Sequence, residues 1–412
     1  MMNALFESAL GIKAPWNIRN LQFDEAQKTL IVEIDFVRGT RFSYPGMEEL
    51  LPVHDTQIKR YRHLNFFQHE CFLEVRTPRV RLSDGTVKLV EPEWSGKLNG
   101  FTLLFEAFVV FLAQHSTFAF VASLLNISWH RVHAVCTKYV EIALEKEDLS
   151  SLTAVAIDET SCRRGHEYLT IVADMTKRRI VYVTPGKDAS TVASFATYLE
   201  EHDGKPDQIA SVSIDMSPAF IKGVKTSLPS AQVTFDKFHV VAHASEAVDE
   251  TRRAEQKSES ILKKTRWTFL KDTTKLNAEQ LELRNYIVNR HATLETVRAW
   301  VYREDLRAIL DCKQINVMEH KLTQWCTNVM RSKIEKMKRV AKMIRTHMSG
   351  IVAWARSRQT NGYIEAFNGL FQAAKRKARG YTRFDTMRTV IFLIGGKLNF
   401  SAVNRHVGSF GR

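Results

Sequence analysis

The sequence predicts a multi-domain α+β protein. Its core is a mixed sheet of three antiparallel strands followed by parallel ones, interrupted by an all-α stretch and preceded by a small β-rich module and a helix-turn-helix. Three observations predict this. Apolar and polar residues alternate near the N-terminus and again from residue 153, as in half-buried strands. From residue 246 to 349 strand signals are absent and helical stretches carry the region. The length of 412 residues, at roughly 100–200 per domain, suits two to four domains.

Residues 1–95 make up the β-rich module. KTLIVEIDFVR (Lys28–Arg38) alternates as a strand does, and FLEVRTPRVR (Phe72–Arg81) reads as another, with Pro78 favouring a sheet edge. Lys59, Arg60, Arg62, Arg76, Arg79 and Arg81, interleaved with Tyr61, Phe66 and Phe67, either track a phosphate backbone or form an ordinary exposed sheet face. Residues 96–150 are helical, and Thr117–Val140 fits a helix-turn-helix. Ala122 is small where two helices cross, Asn126 suits a left-handed turn, Ser128 caps the second helix, and Val132 and Val135 face inward. The outer side of that helix offers Trp129, His130, Arg131 and Lys138 to a DNA groove. Helical hairpins that bind nothing share the same pattern.

Residues 151–245 change period. The strands Thr153–Ile157, Tyr168–Ala173 and Arg179–Thr184 form a meander, followed by a helix from Ala189 to His202 and a strand from Ile209 to Ile214. A helix with Pro218 in its first turn, the strand Gln232–Phe235 and a long helix complete the segment. The all-α stretch, 246–349, includes helices over Leu281–Ala299, Arg303–Leu310 and Met318–Val340. Residues 350–412 return to the core and carry a helix over Asn361–Arg379.

Composition narrows the function classes. Hydrophobic residues at 44% and charged residues at 25% are the balance of an ordinary globular protein. The longest apolar run, Phe101–Ala113, contains Glu106 and falls short of the ~18 residues a membrane span needs. No leader pattern opens the chain, so a cytoplasmic location and no membrane partner are expected. The five cysteines are scattered, none paired as CxxC, which argues against a disulfide framework and a thiolate zinc site. Arg331 to Arg412 holds 18 Lys and Arg against three acids, more than the whole chain's net charge of +14. A surplus confined to one segment suggests that a polyanion docks there, and double-stranded DNA is the expected one.

The strand order is that of the ribonuclease-H fold, whose first and fourth strands lie side by side. Asp158 and Asp215 fall at the ends of those strands, each interrupting an apolar run. Carboxylates brought together repel, and a cation relieves the repulsion. Hard oxygen donors with open positions suit magnesium, and two ions about 3.5–4 Å apart can activate one oxygen and stabilise another. Two Mg2+ ions are therefore expected, with Mn2+ able to substitute. Glu365, the one acid between Ile351 and Tyr381, is the candidate third ligand; it shares a helix face with Asn361 and Asn368. Around it stand Arg358, Lys375, Arg376, Lys377 and Arg379, expected to hold phosphates.

These residues resemble a known family, the DDE transposases of the ISL3 insertion-sequence family. The resemblance runs over most of the chain and is strongest over 156–243 and 354–384. IDETSCRRGHEY (Ile157–Tyr168) is similar to the segment around the family's first catalytic acid, SIDMSPAF (Ser213–Phe220) to that around the second, and SRQTNGYIEAFN (Ser357–Asn368) to that around the third. The resemblance implies that Asp158, Asp215 and Glu365 are the catalytic metal ligands and that the all-α stretch is an insertion before the last acid. FDKFHVV (Phe235–Val241) resembles the block after the second acid; Asp236 and His239 are auxiliary groups there, or else a helix cap and a buried histidine. Family members usually carry paired cysteines on either side of a segment like His54–Phe67; the flanks here, Phe42–Gly46 and Val80–Gly85, have none, so zinc is not expected.

The function expected is that of a transposase that binds the terminal inverted repeats of its element and catalyses metal-dependent DNA cleavage and strand transfer, as a homodimer or larger assembly on DNA. A catalytically silent DNA-binding regulator and a nuclease without joining activity are the alternatives. A nicking assay separates the first from the enzyme, and strand-transfer products separate the second.

Overall fold

The computed structural model describes residues 2–163, 167–357 and 362–409. The chain divides into two compact units, Met1–Glu147 with Ala373–Arg412, and Asp148–Gln372. The two divisions fall at 147/148 and at 372/373.

In the first unit, helix α1 (Met2–Leu10) precedes strands β1 (Trp16–Asp24), β2 (Thr29–Phe36), β3 (Arg41–Phe42), β4 (Leu51–Phe66), β5 (His69–Arg81) and β6 (Val87–Leu89). They form one sheet in the order β1-β2-β5-β4-β3, with β6 paired to β5. Leu30, Val32, Ile34 and Phe36 of β2 are buried in alternation; Cys71, Leu73 and Val75 of β5 join the first three in one core, and Phe36 packs with Phe42 and Val80 in another. Pro78 does not mark an edge strand, since β5 lies between β2 and β4. It stands where the second neighbour of β5 changes: pairing with β2 ends at Val75 and pairing with β6 begins at Arg79, so the missing N–H falls in the gap.

Helices α2 (Leu103–His115), α3 (Phe118–Leu125) and α4 (Trp129–Glu145) follow. Thr102, Thr117 and Ser128 cap their N-termini, each hydroxyl accepting a backbone N–H three residues on. Asn126 ends α3 in the left-handed conformation (φ 51°, ψ 47°), which makes the turn into α4. Val132 and Val135 are fully buried, and α4 packs on α2, on α3 and on the helix Phe384–Gly395. Glu106 is buried among them, accepting from the backbone of Lys97 (2.7 Å) and Leu98 (2.8 Å) and from the Tyr139 hydroxyl (2.8 Å).

In the second unit, β7 (Ala154–Arg163), β8 (Glu167–Asp174) and β9 (Arg179–Pro185) are the meander; α5 (Ala189–Glu200), β10 (Ser211–Ile214), α6 (Pro218–Ser227), β11 (Gln232–Phe235) and α7 (Lys237–Glu255) follow. The sheet order is β11-β10-β7-β8-β9. β10 runs parallel to both β7 and β11, whereas β8 is antiparallel to its two neighbours, β7 and β9. The first strand does not stop before Asp158, as its apolar run suggests, but continues six residues past Ile157, paired with β8 apart from an irregularity between Ser161 and Arg163.

From α7 onward the unit is helical: α8 (Arg266–Leu270), α9 (Ala278–Arg290), α10 (Glu295–Leu310), α11 (Ile315–Arg331) and α12 (Glu335–Thr346). Two expected helices, Leu281–Ala299 and Met318–Val340, are each broken. The first break is set from a distance, by the Glu255 carboxylate accepting from the N–H groups of Glu295 and Thr296 (2.8 Å each) and so capping α10. At the second, Ser332 accepts from the Ile334 N–H at 3.3 Å and the chain turns. One apolar core runs from the sheet through α7 into these helices. Helix α13 (Met348–Ser357) then lies on β11, with Gly350 where a Cβ would overlap the Phe235 ring. Helix α14 (Gly362–Lys377) brings the chain back to β7. Among the described residues no helix is long and apolar enough to cross a membrane.

Candidate active site

The sheet register places the two aspartates. Ala156 of β7 and Ser213 of β10 are partners at the last rung of the parallel pairing, and Asp158 and Asp215 each lie two residues further on. Alternation returns each to the face of its rung, so the pair stands beyond the same rung on neighbouring strands. Asp215 comes directly after β10, and one of its oxygens accepts from the Ser217 N–H at 2.9 Å, which fixes the carboxylate at the start of α6. Both oxygens of Asp158 are engaged: Oδ1 accepts from the Glu159 N–H (2.8 Å) and Oδ2 from Nδ2 of Asn368 (2.7 Å).

Helix α14 delivers the third acid. Glu365 lies in its first turn, exposed, with Oε1 3.7 Å from Nε2 of His239. His239 is half-buried in the first turn of α7, and its Nε2 has no hydrogen-bond partner among the described residues. Asp236 is fully buried and caps α7, accepting from the Phe238 N–H at 2.9 Å, so of its two expected roles the cap is the one described.

The electrostatics follow from this grouping. The Asp158 carboxyl is pushed up to about 6, first by burial and further by the negative charges of Asp215 and Glu365, against the Glu159 N–H and His239, which pull it down. Repelling carboxylates that supply only oxygen donors are the chemistry that a hard divalent cation relieves. Oδ1 of Asn368, whose amide is bonded to Asp158, is a buried oxygen with no hydrogen-bond partner among the described residues. The donor set therefore fits magnesium or manganese. Among the described residues no three His, Cys, Asp or Glu side chains already form a cation cage. Glu365 leans toward His239 instead.

The expected DNA-contacting residues divide into exposed and committed ones. Arg62 is a correction: it is buried, donating to the carbonyls of His63 (2.9 Å) and Cys71 (3.3 Å) and to Asn65 (2.8 Å), which ties β4 to β5. Arg131 is likewise occupied, donating to the Asn99 carbonyl at 2.6 Å and lying over the Phe101 ring at 3.9 Å. Arg79 is paired with Asp55 through both ends of its guanidinium, and Arg60 lies over Phe72 at 4.0 Å, near Glu74. Trp129, His130 and Lys138 are exposed, with Trp129 stacked on His133 at 5.1 Å. Arg376, Lys377 and Arg379 are exposed and Lys375 half-buried. Arg358 and Asn361 lie outside the described residues.

Sequence reasoning misses Asn368 and Gln372 as functional residues. It sets Asn368 on the face of Glu365 without a role; extending that face by one more turn reaches Gln372, whose amide donates to Thr160 Oγ1 (3.0 Å) and to the Ser161 carbonyl (2.9 Å).

A family model of the ISL3 type of DDE transposase, described as "Transposase", matches residues 155–391, and one described as "Helix-turn-helix domain of transposase family ISL3" matches residues 90–140. The first spans both aspartates and Glu365; the second spans α2, α3 and most of α4. The chain is 26% identical over 340 residues to the transposase for insertion sequence element IS1001 of Bordetella parapertussis, covering 80% of this chain and 82% of that one. It is 27% identical over 353 residues to the transposase for insertion sequence element IS1557 of Mycobacterium tuberculosis, covering 79% and 78%. The chain belongs to the ISL3 family of DDE transposases.

Proposed function

We propose that this chain is the transposase of an insertion sequence, binding the terminal inverted repeats of its element and catalysing divalent-metal-dependent cleavage and strand transfer. The observation that carries the reading is that acids distant in the chain are set on neighbouring elements. Asp158 and Asp215 extend the same rung of adjacent parallel strands, and the helix bearing Glu365 is hydrogen-bonded back to Asp158. We read the five-stranded sheet as a ribonuclease-H-like core and residues 246–349 as an all-α insertion in it, in keeping with the order of the strands and the helical run after α7.

Asp158, Asp215 and Glu365 would hold two magnesium ions, which when bound supply the Lewis acidity that activates an attacking oxygen and stabilises a leaving one. The chain's own residues do the positioning. The Glu159 N–H and the Asn368 amide orient the Asp158 carboxylate, and the Ser217 N–H orients that of Asp215. Trp129, His130 and Lys138 on α4 would read the groove, while the basic turn at the end of α14 would grip phosphates without reading sequence. Concerted joining of two ends calls for two copies of the chain on DNA.

The test is cleavage and strand transfer on terminal-repeat DNA with magnesium. Asp158→Ala, Asp215→Ala and Glu365→Ala should each lower nicking on the order of 10³-fold or more, the scale of losing one stabiliser of transition-state charge, while end binding persists. Nicking at the parental rate by any of the three would overturn the reading. Nicked products that are never joined would reduce the protein to a nuclease.

A further inference from the structure

Helix α14 is fastened to β7 at two places. Glu365, Asn368 and Gln372 are spaced i, i+3 and i+7, so they lie along one stripe of the helix. Asn368 donates to Asp158, and one turn further Gln372 donates to Thr160 and to the Ser161 carbonyl. Asp158 and Thr160 are two apart on β7, and Thr160 is buried. Among the described residues no strand pairs with that edge, because pairing of β7 with β10 stops at Ala156. Gln372 therefore serves a carbonyl beyond the reach of β10, in the place where a further strand residue would have donated.

We propose that Asn368 and Gln372 are positioning residues, a two-point latch that holds the helix carrying Glu365 against the strand carrying Asp158 and so sets the placement of the two acids before cation or DNA arrives. Without such a latch, two carboxylates that repel each other would move apart, and Glu365, exposed and 3.7 Å from His239, is not itself held by β7. The amide orientation is forced as well. A carboxylate only accepts, so Nδ2 of Asn368 must face Asp158 and Oδ1 must face away, where it is buried and has no hydrogen-bond partner among the described residues. Leaving that oxygen buried and unsatisfied is a cost, which the hydrogen bond to Asp158 imposes.

The proposal rests on the reading of Asp158 and Glu365 as cation ligands, and the experiment separates the two. In the full-length chain, Asn368→Leu and Gln372→Met remove the donors while keeping the shape. Manganese binding is measured without DNA, from the electron paramagnetic resonance signal of the free ion, together with urea unfolding. The magnesium concentration giving half-maximal nicking and the turnover at saturating magnesium are then compared. Each variant should weaken manganese binding and raise the magnesium requirement about tenfold, the scale seen when groups that orient metal ligands are removed. End binding and unfolding midpoint should stay near the parent's, and saturating magnesium should restore much of the Gln372→Met turnover. The combined variant should lose less than the product of the single losses, because both residues hold one helix.

Parental manganese affinity in both variants would overturn the latch, as would a loss that merely tracks loss of folding. If in the same titration Asp158→Ala binds manganese as the parent does, the ligand assignment falls and the latch with it. If Asp158→Ala abolishes binding while Asn368→Leu and Gln372→Met do not alter it, only the latch is lost.

Discussion

Glu106 interrupts the longest apolar run of the chain, and its surroundings explain why a carboxylate is tolerated there. Two backbone N–H groups and the Tyr139 hydroxyl converge on it, and Tyr139 in turn accepts from Asn404 (2.7 Å), so one acid fastens the segment before α2 to α4 and to the C-terminal stretch. Burial nevertheless outweighs these donors and holds the carboxyl above its ordinary range. A carboxyl whose folded pKa is raised binds more protons folded than unfolded, so its contribution is fullest below the unfolded value and is lost as pH climbs through the raised one. Glu106→Gln, with one acceptor where three donors point, should cost about 1–3 kcal/mol in urea unfolding at neutral pH and flatten that decline. An unchanged midpoint at every pH would refute this account. The same scale shows where reading residues alone fails. Asp158 and Asp215 are legible because an acid that breaks an apolar strand is a local signal. Arg62 misleads because a basic residue near aromatics looks alike whether it serves DNA or its own backbone, and only its burial against the carbonyls of His63 and Cys71 decides.

Elements are legible where their cause is local. Ser128 and Asn126 announce the turn between α3 and α4, and both occupy the expected cap positions. Asn126 adds a hydrogen bond that no local pattern shows, from Nδ2 to Glu70 of β5 at 2.9 Å. Left-handed backbone costs an ordinary residue about 1–2 kcal/mol, so Asn126→Ala should destabilise by that order in urea unfolding and Asn126→Gly should recover most of it. If glycine were no better than alanine, the hydrogen bond to Glu70 rather than the backbone would be the stabilising feature. Elements whose cause is distant are not legible. The break before α10 depends on Glu255, forty residues earlier in the chain, and the continuation of β7 past Asp158 depends on its pairing with β8. The latch between α14 and β7 spans more than 200 positions, so spacing could suggest a shared helix face but not the strand it meets.

At the scale of the whole molecule, charge is the property that the sequence reveals best and the fold refines most. The surplus between Arg331 and Arg412 is partly offset from outside the segment, where Glu250 pairs with both Lys336 and Arg339. Arg376, Lys377 and Arg379 stay exposed at the end of α14 and just past it, where Arg379 turns left-handed (φ 59°) and Gly380 donates back to the Lys375 carbonyl. If these three hold phosphates, each releases condensed counterions when it binds, and the affinity should depend steeply on salt. Replacing all three with Ala should make the slope of log affinity against log salt shallower by about 0.9 for each phosphate left without its cation. The change should be the same on terminal-repeat DNA and on unrelated duplex, since groups that bind phosphate carry no sequence information. Changes at Trp129, His130 and Lys138 should instead narrow the gap between the two DNAs. An unaltered slope in the triple variant would mean that the basic turn does not touch the backbone. A loss confined to terminal-repeat DNA would mean that it reads bases, and the division of labour between α4 and α14 would have to be reversed.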